Sequence, residues 1–272
     1  MEPYSKGKQN RFRLKNVLFA HPFLILPLCA IISDEQERGK IVNYELHRNA
    51  ESYLETIHFP LGFDALTTVE WKTYLLNFSS KTYLPACKIP VSAKHTSIRE
   101  QLLTTFENIL MQQKNLRGQI ITAIKYLISE AIDNIVDHSG VTNGWIMVQH
   151  YPKKGYIDIC MVDTGRGIWG SYQKNGDTNI TSDAKALEHA INGKSTKQIT
   201  ETRGYGIDTS RRMLVNGLKG KYLLFSGKAL YIYTNELEQI TSLQGSGWKG
   251  TLLALQIPSK IPHNFNYTTF LE

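Results

Sequence analysis

The chain has 272 residues, of which 42% are hydrophobic and 20% charged, and a net charge of +7. That composition supports one large or two small globular domains and excludes wholesale disorder. No dense Lys/Arg block is present, so nucleic acid is not indicated, and the moderate positive balance suits an anionic ligand or an acidic protein partner.

Residues 1–15 read as a flexible basic arm. The apolar run that follows, VLFAHPFLILPLCAII, imitates a signal peptide. His21, Pro22 and Pro27 interrupt it, it is too short for a membrane span, and no small-x-small cleavage site follows. Leu28 stands where a lipoprotein box needs a small residue. The expectation is a buried strand, LILPLCAII, and no membrane segment. Cys29, Cys87 and Cys160 are odd in number, widely spaced and without a CxxC pair, which points to reduced thiols in a cytoplasmic protein rather than a disulfide frame or a zinc site.

Residues 34–39 read as a charged turn, 40–44 as a strand, 48–57 as a short helix with Tyr53, Leu54 and Ile57 on its apolar face, and 66–76 as a second amphipathic piece. Strand and helix alternate, so 16–95 is expected to form a small α/β module. Residues 81–97 hold Pro85 and Pro90 and few periodic apolar positions, which makes them the best domain boundary. Ser97 and Glu100 have capping-box spacing for a helix over 98–112, which carries Leu102, Leu103, Phe106, Ile109 and Leu110. That helix is expected to fold back on the next one as an α-hairpin through 113–115.

Residues 116–139 form the stretch around which the rest is organised. Ile120, Ile121, Ile124, Leu127, Ile128, Ala131, Ile132 and Ile135 recur at helical spacing. Glu130, Asn134 and His138 fall four apart and stack on another side, with Asp133 and Asp137 beside them. A carboxylate, a carboxamide and an imidazole aligned this way can orient a water, a hard cation and a phosphate; the alternative is a solvated polar face. His138 also has a second reading as a cation at the helix C-terminus, since Ser139-Gly140 looks like the helix end.

Two strands follow, 145–150 and Tyr156–Val162, the second ending in Asp163-Thr164-Gly165-Arg166-Gly167. A carboxylate at a strand end can accept a hydrogen bond from an exocyclic amine, and glycines let a flat ring approach the backbone. Residues 168–203 are long and polar, with one helical piece at Asp183–Ile191, and read as a lid over the site or an insertion. Within them, Lys194 and Lys197 are either lid cations or solvated loop lysines. Arg203-Gly204-Tyr205-Gly206 opens a helix over 207–215, where free N–H groups and the dipole favour phosphate. Strands are expected at 222–226, 230–234 and 251–257, the last begun by Gly250-Thr251.

Each motif is weak alone, but the four in this order resemble the GHKL ATPases: gyrase-type topoisomerases, the heat-shock chaperone ATPase, MutL, sensor histidine kinases and anti-sigma-factor serine/threonine kinases. In size and layout the chain is most similar to the last group. The resemblance implies a Bergerat fold over 96–260, a two-layer α/β sandwich with a mixed, mostly antiparallel sheet under helices, followed by a tail at 261–272. It implies ATP and Mg²⁺ as cofactors. Glu130 would be the general base and Asn134 the Mg²⁺ ligand, with His138 near the phosphates. Asp163, Gly165, Gly167 and Thr251 would take the adenine. Gly204, Tyr205 and Gly206 would cover the phosphates, and Lys194, Thr196 and Lys197 would belong to the lid. The N-terminal module weakly resembles the STAS fold.

The implied activity is hydrolysis of ATP or transfer of its γ-phosphate, foremost by an anti-sigma-type serine/threonine protein kinase. The alternative is an ATP-driven conformational switch acting with a separate protein. A histidine kinase ranks third, because the helix over 98–112 contains no histidine. The expected partners are ATP and a small regulatory or STAS-like protein, with a homodimer left open.

Overall fold

A computed structural model describes residues 10–14, 21–64, 67–91, 96–111, 116, 118–141, 143–193 and 206–271. Its centre is a seven-stranded sheet in the order β3-β4-β5-β9-β6-β7-β8, antiparallel at every pairing. The strands are β3 (Tyr83–Pro90), β4 (Asn143–Tyr151), β5 (Tyr156–Val162), β6 (Lys221–Gly227), β7 (Ala229–Tyr233), β8 (Glu238–Ser242) and β9 (Trp248–Pro258).

Strand side chains alternate between faces, so β5 alone feeds two cores. Ile157, Ile159 and Met161 point to the front, where α4 (Thr96–Met111) and α5 (Gln119–Asn134) cover them with Leu102, Phe106, Ile124, Leu127 and Ile128. Cys160 and Val162 point to the back, together with Met147 of β4 and Ala254 of β9. The mixed α/β architecture expected from the sequence is therefore present, and the back face carries a further layer.

That back layer is α1 (Pro22–Glu37), with α2 (Arg48–Thr56) beside it. The strand expected at 24–32 is thus a helix. A continuous apolar run does not distinguish a strand from a helix buried all round, and Pro22 at the first helical turn loses no hydrogen bond. Pro27 inside the helix costs about 3 kcal/mol. Full burial of Ile25, Leu26 and Ile32 at about 1.5–3 kcal/mol each offsets it. The charged turn expected at 34–39 is mostly the end of α1, where Arg38 pairs with Asp34 at 2.8 Å before Gly39 turns the chain at φ +73°.

The basic arm also needs correction: Asn10–Leu14 forms β1, paired in parallel with β2 (Val42–Leu46), and Phe12 and Leu14 join the back core. Residues 1–9 and 15–20 lie outside the described part. The boundary expected at 81–97 is largely β3, the edge strand of the main sheet. Its prolines are the reason it was misread: an edge strand tolerates a missing N–H, and Pro85 sits in a register shift between Leu84 and Cys87. Within this region β3 joins the main sheet and α1 and α2 close its back core, while β2 pairs with β1 in a separate two-stranded sheet. The helix α3 (Thr68–Leu76) packs on α4, and its capping box is made by Thr67 and Glu70. Ser97 does not cap α4, which already begins at Thr96.

The segment 168–203 reads in the sequence as polar, with one helical piece. In its described part it holds α6 (Gly167–Lys174) and α7 (Asp183–Ile191), which bury Tyr172, Ile180, Ala186 and Ala190 in a cluster of their own. Trp169 fixes the connection by donating its indole N–H to the Ile180 carbonyl at 2.9 Å. After α8 (Gly206–Arg212) and β9, residues 261–271 pack Ile261, Phe265 and Phe270 against the front core.

Candidate functional site

The site forms where the C-terminal end of α5 meets the C-terminal end of β5 and the start of β9. Glu130, Asn134, His138, Asp163, Gly167, Gly206 and Thr251 line one open cavity of about 1140 Å³, counted to its mouth.

The helix does not stay regular through its polar residues. It widens to a π-helix over Ile135–Ser139 and ends at Gly140 in a left-handed conformation. Such π segments are frequent at functional sites. The wider turn takes His138 out of the straight row expected with Glu130 and Asn134, yet all three, half-buried, still face the cavity. His138 is also the basic residue of the last turn, at the C-terminal end of the helix. The helix end is fastened to the glycine box: the Ser139 carbonyl accepts the Arg166 N–H at 3.0 Å, and Ser171 Oγ donates to the His138 carbonyl at 3.1 Å.

Asp163 is 2% exposed. Burial pushes its carboxyl up to about 6, and hydrogen bonds from the Gly165 N–H and from the Thr251 backbone and hydroxyl restrain the rise. The Gly165 bond measures 2.8 Å. The backbone of Asp163 is fixed as well: its N–H donates to the Thr251 carbonyl at 2.9 Å, and its carbonyl accepts the Trp248 indole N–H at 3.0 Å. A buried carboxylate held this rigidly is a directional acceptor for a planar amine.

The glycines are needed for close backbone approach. A methyl at Gly165 would collide with the Ser139 carbonyl, and one at Gly250 with the Asp163 carbonyl. Gly167 adopts φ +70° and Gly250 φ +99°, which other residues rarely do. Gly206 lets the start of α8 approach Glu130, whose Oε2 a methyl there would strike. Lys194, Thr196, Lys197, Gly204 and Tyr205 lie outside the described residues. Sequence reading missed Ser226, Trp248, Ser171 and Tyr172. Ser226 left one faint signal, a hydroxyl in the otherwise apolar strand interior YLLFS.

The sequence pattern of the family described as histidine kinase-, DNA gyrase B-, and HSP90-like ATPases matches residues 119–258. The match runs from the first residue of α5 to the last of β9, encloses every motif above, and covers more than half of the chain. The chain belongs to this family. No curated protein matches it. As a histidine-kinase-like ATPase domain it binds ATP, and its chemistry is that of an ATPase or kinase. The donor set also fits Mg²⁺: Glu130, Asp133 and Asn134 all line the cavity, and each carries a hard oxygen donor. Among the described residues no group of three or more His, Cys, Asp or Glu side chains is placed to hold a metal ion by itself.

Proposed function

We propose that this chain takes Mg²⁺-ATP and transfers its γ-phosphate to a serine or threonine hydroxyl of a small regulatory protein. The reading rests on one observation: Glu130 and Asn134 occupy the same cavity as Asp163 and Thr251, so a nucleotide seated by its base at Asp163 has room to bring its phosphates to α5. Asp163 accepts from the adenine amino group, where guanine would present a carbonyl and set acceptor against acceptor. Glu130 takes the proton of the attacking hydroxyl as its oxygen bonds to the γ-phosphorus and the bond to the β–γ bridging oxygen breaks, releasing ADP. Asn134 would hold the cation, which would supply charge neutralisation on the phosphates. The N–H groups at the start of α8, beginning with Gly206, add to that stabilisation. The described helix packed against α5, α4, contains no histidine, which favours a hydroxyl over an imidazole acceptor.

Incubation with γ-labelled ATP, alone and with proteins encoded beside it, tests the reading. Acid-stable label on serine or threonine is the expected result. Free phosphate without protein label makes water the nucleophile and the protein an ATP-driven switch. Acid-labile label would identify a histidine acceptor.

A further inference from the structure

The loop that carries Asp163 and the strand that carries Thr251 are joined by a hydroxyl that neither motif contains. Ser226 lies near the end of β6 and is 1% exposed. Its Oγ donates to the Gly250 carbonyl at 2.9 Å and accepts the Ile168 N–H at 2.9 Å. A serine hydroxyl has one proton to give and lone pairs to receive, so these two bonds fix its orientation.

Both partners depend on it. The β6–β9 ladder is irregular at this point: Ser226 stands opposite Thr251 but Gly227 opposite Trp248, which leaves Lys249 and Gly250 as a bulge. Bulges beside active sites re-aim the neighbouring side chain, and here that neighbour is Thr251. Ile168 is the second residue of α6, where no earlier helical carbonyl can take its N–H. There is also little slack, because a methyl on Gly167 would come within 2.7 Å of Ser226 Oγ.

We propose that Ser226 is a positioning residue for base selectivity. Its hydroxyl sets the separation between the 163–168 loop and the 248–251 bulge, and through it the angle at which the Asp163 carboxylate and Thr251 hydroxyl meet an adenine. This rests on the reading of Asp163 as the adenine acceptor. The Thr251 carbonyl and the Trp248 indole N–H, both bonded to the Asp163 backbone, tie the loop to β9 on one side. Ser226 ties it on the other, from the neighbouring strand β6. Replacing the hydroxyl strands a part-buried N–H and a buried carbonyl together, and the loop and bulge drift apart until each finds another partner. A site that discriminates by hydrogen bonding loses discrimination when its polar groups move.

Calorimetry with ATP, GTP and inorganic tripolyphosphate, each with Mg²⁺, on wild type and Ser226→Ala tests this. Ser226→Ala is expected to weaken ATP about ten-fold and to lower the ATP-to-GTP affinity ratio by a similar factor. Tripolyphosphate binding should be unchanged, because it has no base to orient. A general structural loss would weaken all three ligands alike, and that outcome overturns the proposal. So does an unchanged ATP-to-GTP ratio in a folded variant. If Ser226→Ala does not fold, Ser226→Cys, which keeps the shape and a weak donor, is judged by the same two criteria. Wild-type protein that binds ATP and GTP equally overturns the role of Asp163 instead, and so is told apart from a failure of Ser226.

Discussion

Burial of Asp163 acts in opposite directions on binding and on stability. Its carboxyl is raised from 3.8 to about 6. An adenine amine needs the ionised acceptor, so affinity should climb as pH rises through 6. Adenosine is the right probe, since its lack of phosphate removes the ligand's own titration near pH 6. The ligand-free protein responds the other way. A folded-state value above the unfolded one gives stability that is present below 3.8 and lost as pH rises through about 6, up to about 3 kcal/mol for this group. Asp163→Asn should therefore flatten the adenosine pH profile, weaken ATP, and raise the melting temperature at pH 7 but not at pH 4. A sloping profile in the variant would remove Asp163 from the explanation. Glu130 and Asn134 separate in a different experiment. Glu130→Ala should keep ATP binding and lower turnover about 10²–10⁴-fold, while Asn134→Ala should lose Mg²⁺-dependent affinity as well. Loss of nucleotide binding by a folded Glu130→Ala would exclude the general-base role. These side chains were legible in the sequence because one helix spaces them. Ser226 and Trp248 were not, because their partners are contributed by distant strands and only the fold brings them within reach.

Elements were legible where periodicity was clean and misread where burial was two-sided. The α5 stripe has a single apolar face and declared itself a helix; α1 is apolar nearly all round and did not. The π-helix at Ile135–Ser139 leaves no sequence periodicity of its own within five residues. Segment 168–203 shows the same limit, since polar composition concealed a small core built on Trp169, Tyr172 and Ile180. Hydrogen exchange separates the two views of it. Amides of α6 and α7 should be protected without nucleotide, because their contacts are already made. Exchange there as fast as in a loop, slowing only when a non-hydrolysable ATP analogue and Mg²⁺ are added, would support the lid reading for these helices.

At the scale of the whole molecule, the sheet is clasped from both sides, and the two cores differ in origin. The front core is assembled largely within the family match; the back core is closed by α1 and α2, which precede it in the chain. Among the described residues no helix is long and apolar enough to cross a membrane, so the hydrophobicity of α1 is accounted for by the sheet it covers. That covering places Cys29 of α1 and Cys160 of β5 in one core, both 0% exposed, with burial pushing each thiol far above its ordinary range. Neither can react while the helix is down. The two sulfurs are thus a built-in clock for the lifting of α1: the rate at which an aromatic disulfide reagent labels them counts openings. Val162, in the same core, is followed directly by Asp163. An opening that loosens the end of β5 must also loosen the purine acceptor, so saturating ATP should slow labelling in proportion to its occupancy. Identical labelling rates with and without ATP would mean that the N-terminal helix rises and falls without the pocket registering it.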